Sequence, residues 1–279
     1  MGGSAFENRR AKLEPMILPS ASPIGVALTL AAAVAYAIPA LGASRLSQGR
    51  ARLALAAAWL LHAAALAWGL AGDQPRFGWA PALSATGWLV LTVYVVEQEL
   101  FPQLHARWGL AALGIVALVL PLIDPGVPLR SSSVVLALHL ALGIAAYGLF
   151  AAAVVHAWLL RRAELLMRRA AGSYAGVPLL TLERLTFRFV SAGFIVLTAT
   201  LLAGFIFGEA IEGRPWHWDH KRVFSVLAWI AFATLLLGRA RFGWRGRTAV
   251  RVLYTGSLLL LLAYVGSRFV LEVVLGRAA

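Results

Sequence analysis

Apolar runs of roughly 20 residues recur along the whole chain, each long enough to cross the hydrocarbon core of a bilayer as a helix. No other feature constrains the fold as strongly. A lipid-exposed backbone must satisfy its own hydrogen bonds, so such runs are helical. Eight are expected, near 22–43, 51–71, 80–97, 107–123, 132–160, 185–209, 221–238 and 248–275. The breaks between them carry turn residues or charge, as in GDQPRFG, DPGVP and GRARFGWRGR. The expected fold class is all-α: a polytopic integral membrane protein, with a single bundle of eight transmembrane helices over residues 16–279. Residues 1–15 are expected to be a disordered extension, with Met16 as an alternative start. Only 13% of residues are charged and 61% are hydrophobic. A soluble domain carries about 25% charge, so little of the chain is left for one. The absence of cysteine excludes disulfides and thiolate metal sites.

The arginines set the expected orientation. Connections 1–2, 3–4, 5–6 and 7–8 hold fifteen arginines, whereas the opposite connections hold five basic residues, Arg76, Arg130, Arg214, Lys221 and Arg222. The positive-inside rule places the fifteen in the cytoplasm. Both termini and the 209–221 segment then face outward, which in a bacterial inner membrane is the periplasm. The net charge of +13 follows from this topology and from contact with anionic lipids, and needs no nucleic acid.

Two histidines lie at matching depth. His62 is ten residues from Arg52 and eleven from Asp73, and His139 is nine past Arg130. At 1.5 Å per residue both sit about 13–16 Å below the outer face. Each could serve as hydrogen-bonding glue between helices. As a pair they could hold a flat macrocycle through its iron. His139, Gly143 and Tyr147 are spaced by four and share one face, where the glycine leaves room and the tyrosine offers a hydroxyl. His156 and His105 are expected at the inner surface, solvated or interfacial.

On the outer side, RPWHWDHK (214–221) places Trp216 and Trp218 two residues apart, a candidate platform for a flat ligand. Asp219 can cap the seventh helix. Arg268 and Glu272 lie four apart on the last helix. They can neutralise one another, or Arg268 can grip a ligand carboxylate with its planar fork.

These residues resemble the cytochrome c assembly family, whose members handle haem through a tryptophan-rich outer segment, the WWD domain. The resemblance runs in order from LHLALGIAAYGLF (138–150), through LERLTFRFVSAGFIVLTATLLAGFIFGEA and W216-x-W218-D219-x-K221, to Trp229, GWRGR (243–247) and AYVGSRFV (263–270). It is specific over about 132–276, and within the family it is similar to the eight-helix HemX/YpjD-like branch. The resemblance implies that His139 is a haem-ligand histidine, and that His62 matches a histidine of that branch. The chain departs from the fuller haem-lyase members. Arg222 stands where they carry an acid, and LLLGR and VLEVVLGR replace segments with two further histidines. One haem site is left, with His62 and His139 as iron ligands and Gly143, Tyr147, Trp216, Trp218, Asp219 and Arg268 around it.

The expected function is haem delivery or handling in cytochrome c biogenesis, with non-covalent haem b and no catalysis. The expected partners are haem, membrane lipids and other membrane proteins of cytochrome c assembly. The alternative is a structural or regulatory subunit of the same fold, without haem, that serves a transporter or a haem-synthesis enzyme. A permease would be expected to show repeats or broken-helix pairs, and none are visible.

Overall fold

The computed structural model describes residues 22–41, 46–72, 75–100, 107–129, 133–168, 178–209 and 218–270. They form eight long helices: α1 (Pro23–Leu41), α2 (Gln48–Ala71), α3 (Trp79–Leu100), α4 (Arg107–Ile123), α5 (Val134–Arg168), α6 (Leu179–Ile206), α7 (His220–Phe242) and α8 (Gly246–Leu261). The last continues through a π-helical turn, Leu262–Gly266, into Ser267–Phe269. Among the described residues, seven of these helices are long and apolar enough to cross a membrane, and α4 is shorter. Its 17 residues reach about 26 Å, close to the thickness of the hydrocarbon core. The protein is an all-α polytopic membrane protein.

The bundle is built as two groups. Helices α1 to α4 close around Tyr36, Ala32, Ala58, Leu91 and Leu118. Helices α5 to α8 close around Phe150, Val190, Phe232 and Leu253, with Phe150 and Phe232 stacked at 3.7 Å. Helix α3 joins the groups, packing on α5 and on the π-helical turn. Lipid is as apolar as leucine, so membrane helices associate through close packing rather than water exclusion. Gly148 of α5 shows this: a β-carbon there would lie 2.7 Å from Leu89 of α3. Large apolar side chains such as Leu60, Ile195, Phe205 and Leu237 are left on the outside, where lipid covers them.

Several helices extend past their expected limits, α5 and α6 by the most. α5 runs to Arg168 and α6 begins at Leu179, because a charge ends the membrane crossing and not the helix. Ala163 stays buried in that extension, and Leu160, just before it, packs against Leu182. His156, expected at the interface, is instead buried. Its Nδ1 lies 2.7 Å from the Ala152 carbonyl and its ring packs on Phe189 at 5.1 Å.

Two of the connections pair with each other. Arg76–Phe77 (β1) pairs antiparallel with Val127–Pro128 (β2), so the α2–α3 and α4–α5 connections meet at one end of the bundle. The DPG turn before β2 needs its glycine: Gly126 has φ +79°, and a β-carbon there would lie 2.6 Å from the Phe77 backbone. Within GWRGR, Gly243 ends α7 in the left-handed conformation at φ 64° and lets the chain reverse into α8. Residues 1–15, Trp216, His217, His105 and Glu272 lie outside the described residues.

Candidate functional site

A cavity of about 390 Å³ opens among α1, α2, α3, α4 and β1, within the size range of small-molecule and cofactor sites. Its walls are mostly apolar, from Val26, Leu66, Phe77, Leu118 and Leu122, with Trp68 beside them. The polar lining is Ser22, Thr29, His62, Ser84 and Arg76. No carboxylate stands among the described lining residues.

His62 is fully buried on α2. Its Nε2 meets Ser84 Oγ of α3 at 3.0 Å, and its Nδ1 faces Tyr36 Oη of α1 at 3.4 Å. The Tyr36 ring stands edge-on to the imidazole at 6.0 Å. Three helices therefore hold one imidazole in place. Ser84 lines the cavity and Tyr36 is not among the described lining residues, so the Nε2 edge, bonded to Ser84, is the edge next to a lining residue of another helix. Tyr36 behind Nδ1 fixes the ring orientation, as an outer-shell partner does for a metal-ligating histidine.

Arg76 enters from β1. Its Nη1 donates to the Gly126 carbonyl at 3.2 Å, while its Nε is buried without an acceptor. Asp124, in the same DPG turn, is directed elsewhere. Its Oδ2 accepts from Trp79 Nε1 at 2.6 Å and its Oδ1 from the Gly126 N–H at 2.9 Å.

His139 has a different setting. It lies on α5 against α6, where a β-carbon on Gly204 would come within 3.3 Å of its Cε1. Gly204 therefore serves a close approach inside the chain. The space expected at Gly143 is present, since a β-carbon there would meet nothing within 4 Å. Tyr147 donates its hydroxyl to the Leu260 carbonyl, just before the π-helical turn. His62 belongs to the α1–α4 group and His139 to the α5–α8 group, with α3 packed against both α2 and α5.

Of the 214–221 segment, Trp218 is described and is 68% exposed. Asp219 caps α7, its Oδ1 accepting from Arg222 N–H at 2.8 Å, and its Oδ2 pairs with the buried Arg222 guanidinium at 3.3 Å. Arg268 lies over the Tyr264 ring at 5.8 Å, and Tyr264 packs on Phe77 at 5.8 Å. Arg268 is thus two rings from the cavity, and Arg76 is in it.

Sequence reasoning missed Arg76, Tyr36 and Ser84. Arg76 counted only as one of a few outer basic residues. A lone cation beside a glycine-aromatic turn, at the mouth of the helix carrying His62, was the available signal. Tyr36 and Ser84 had none, since one tyrosine and one serine in apolar helices are ordinary.

Haem requires an imidazole nitrogen toward the space, apolar walls for the macrocycle and a cation for the propionates. The cavity offers His62, whose Nε2 would exchange its Ser84 contact for the ligand, an apolar lining and Arg76, and these are the residues that would hold that group.

Comparison with known proteins agrees with the sequence motifs. Similar curated proteins include three named cytochrome c biogenesis protein CcsA. The one from Prochlorococcus marinus (strain AS9601) is 33% identical over 88 residues, 32% of this chain and 28% of that protein. The one from Gloeobacter violaceus is 30% identical over 92 residues, 33% and 27% of the two chains. The one from Nostoc punctiforme is 31% identical over 86 residues, 31% and 24%. The matched segment spans about a quarter of each relative's length. No solved structure matches. The family model described as cytochrome C assembly protein matches residues 30–275, most of the chain, and the protein belongs to that family.

Proposed function

We propose that this protein binds haem b without a covalent bond and handles it for cytochrome c biogenesis, and that it makes and breaks no bond itself. The observation that carries this reading is a buried imidazole, His62, in the wall of a roughly 390 Å³ apolar cavity, in a chain matched to the assembly family over residues 30–275. His62 supplies the iron ligand from Nε2, and Tyr36 holds its ring. His139, which does not line this cavity, is a second imidazole in the other helix group, beside the space at Gly143. The bound haem supplies an iron centre that is passed on or sensed. The residues orient it and exclude water. The absorption spectrum of protein purified from haem-replete cells tests this. A Soret band is expected, and a preparation that shows none and takes up no added haemin overturns the reading.

A second reading has its own observation. Both His62 nitrogens already meet side-chain hydroxyls, as they would in a residue that only ties three helices together. The chain would then be a structural or regulatory membrane subunit serving a partner. The same spectrum separates the two.

The protein works in a bacterial inner membrane with both termini and the 209–221 segment outside, on the arginine asymmetry. A cysteine at the exposed Trp218 position should react with a membrane-impermeant maleimide in intact spheroplasts. Labelling only after lysis would invert the topology.

A further inference from the structure

We infer that Arg76 selects what the His62 cavity takes up, by binding an ionised carboxylate at the outer edge of the ligand, so that the cavity accepts a free acid and discriminates against its ester. This rests on the haem reading above, with the propionates as the carboxylates.

Arg76 is the only cation among the described lining residues, and they include no acid. A guanidinium has five N–H donors and cannot lose its charge. Here Nη1 donates to one carbonyl, and Nε is buried with no acceptor. Arg76 is partly buried, and a cation whose Nε is shielded from water and whose described cavity neighbours include no acid is matched to an anion. The protein has an acid in the adjoining turn and does not use it for this purpose. Both oxygens of Asp124 accept from Trp79 Nε1 and the Gly126 N–H. That arrangement shapes the DPG turn, whose Gly126 carbonyl anchors Arg76.

Position adds direction. Arg76 follows the end of α2, whereas His62 lies nine residues before Ala71 in that helix, about 14 Å deeper at 1.5 Å per residue. The cavity therefore has a cation near the connection, apolar walls and an imidazole in its depth. An occupant seated this way keeps its acid groups outward and its apolar body among the helices. The arginine fork favours a planar carboxylate, which an ester cannot replace because it has no charge.

The test uses the full chain in detergent, titrated with haemin and with haemin dimethyl ester. Binding of each is referenced to Arg76→Gln and to His62→Ala protein in the same micelles, so that partition into detergent cancels. The wild type should bind haemin about ten- to a hundredfold tighter than the diester. Arg76→Gln should lose that discrimination while the band positions of bound haemin stay unchanged, because the axial ligand remains. Arg76→Lys should recover part of it. Equal affinity of the wild type for acid and diester overturns the inference, as does undiminished discrimination by Arg76→Gln. If Arg76→Gln does not fold, the wild-type comparison alone decides. Failure of the haem reading looks different: the wild type takes up neither form, or its spectrum is the same in His62→Ala.

Discussion

Replacing His62 with alanine should remove the iron ligand and lower haem affinity by at least about a hundredfold, whereas replacing either residue that holds it should have smaller effects of opposite sign. His62 is fully buried, and no side chain in the described cavity lining can take its place as an imidazole. Tyr36 lies behind Nδ1 and is not among the described lining residues. Tyr36→Phe removes the group that fixes the ring and should cost about 10–100-fold in affinity, the usual loss for an outer-shell partner of a metal ligand. Ser84 competes for Nε2. Ser84→Ala frees that nitrogen and should hold or raise affinity. Titration with haemin, followed in the Soret region, reads all three. If His62 only ties the helices together, the pattern is different. His62→Ala would then lower thermal stability and leave haem uptake as it was, and iron ligation would fall to His139. A parallel His139→Ala titration measures that share directly.

Neighbourhood was not legible in the sequence. Counting residues from the flanking charges places His62 and His139 at one level of the membrane, because every residue of a helix rises by the same amount. It does not reveal which helix stands beside which. Here α3 lies between the helices that carry the two imidazoles, and each settles against a different group: His62 on Tyr36 and Ser84, His139 beside Gly204. Polar residues in a long apolar helix are similarly ambiguous. Tyr147 could face a ligand by its spacing from His139, yet its hydroxyl reaches the Leu260 carbonyl at the π-helical turn. That turn, Leu262–Gly266, is a change in hydrogen-bond register at the start of AYVGSRFV, with no proline to announce it. Helix edges follow the same logic. α4 occupies 107–123 as expected, since the DPG turn ends it sharply, whereas α5 continues past Arg161 and Arg162 because water tolerates a helix as well as lipid does. Arg76 became visible only when two connections distant in sequence were paired, with Arg76 opposite Pro128.

Asp219→Ala should destabilise the protein by roughly 1–3 kcal/mol, and Asp219→Asn should separate the two causes. The aspartate of the W-x-W-D segment does two jobs in this fold. Its Oδ1 accepts the Arg222 N–H and starts α7, and its Oδ2 meets the Arg222 guanidinium at 3.3 Å. Arg222 is 7% exposed, so losing an anion beside it weakens the setting of a buried charge. Asparagine caps a helix about as well as aspartate, but it carries no charge. Asp219→Asn should therefore keep the cap, worth about 1 kcal/mol, and lose the pairing. Alanine loses both, and the gap between the two variants in thermal unfolding in detergent reads the cap alone. The basic residue that departs from the fuller family pattern, Arg222, is on this account the structural partner of the motif's aspartate. The position of Trp218, one residue before the cap, is then set by the same interaction: a frayed α7 start would move the exposed indole. Haem uptake should fall in Asp219→Ala in step with the stability of α7. A variant with full stability and lost uptake would instead assign Asp219 to the ligand and leave the start of α7 to other contacts.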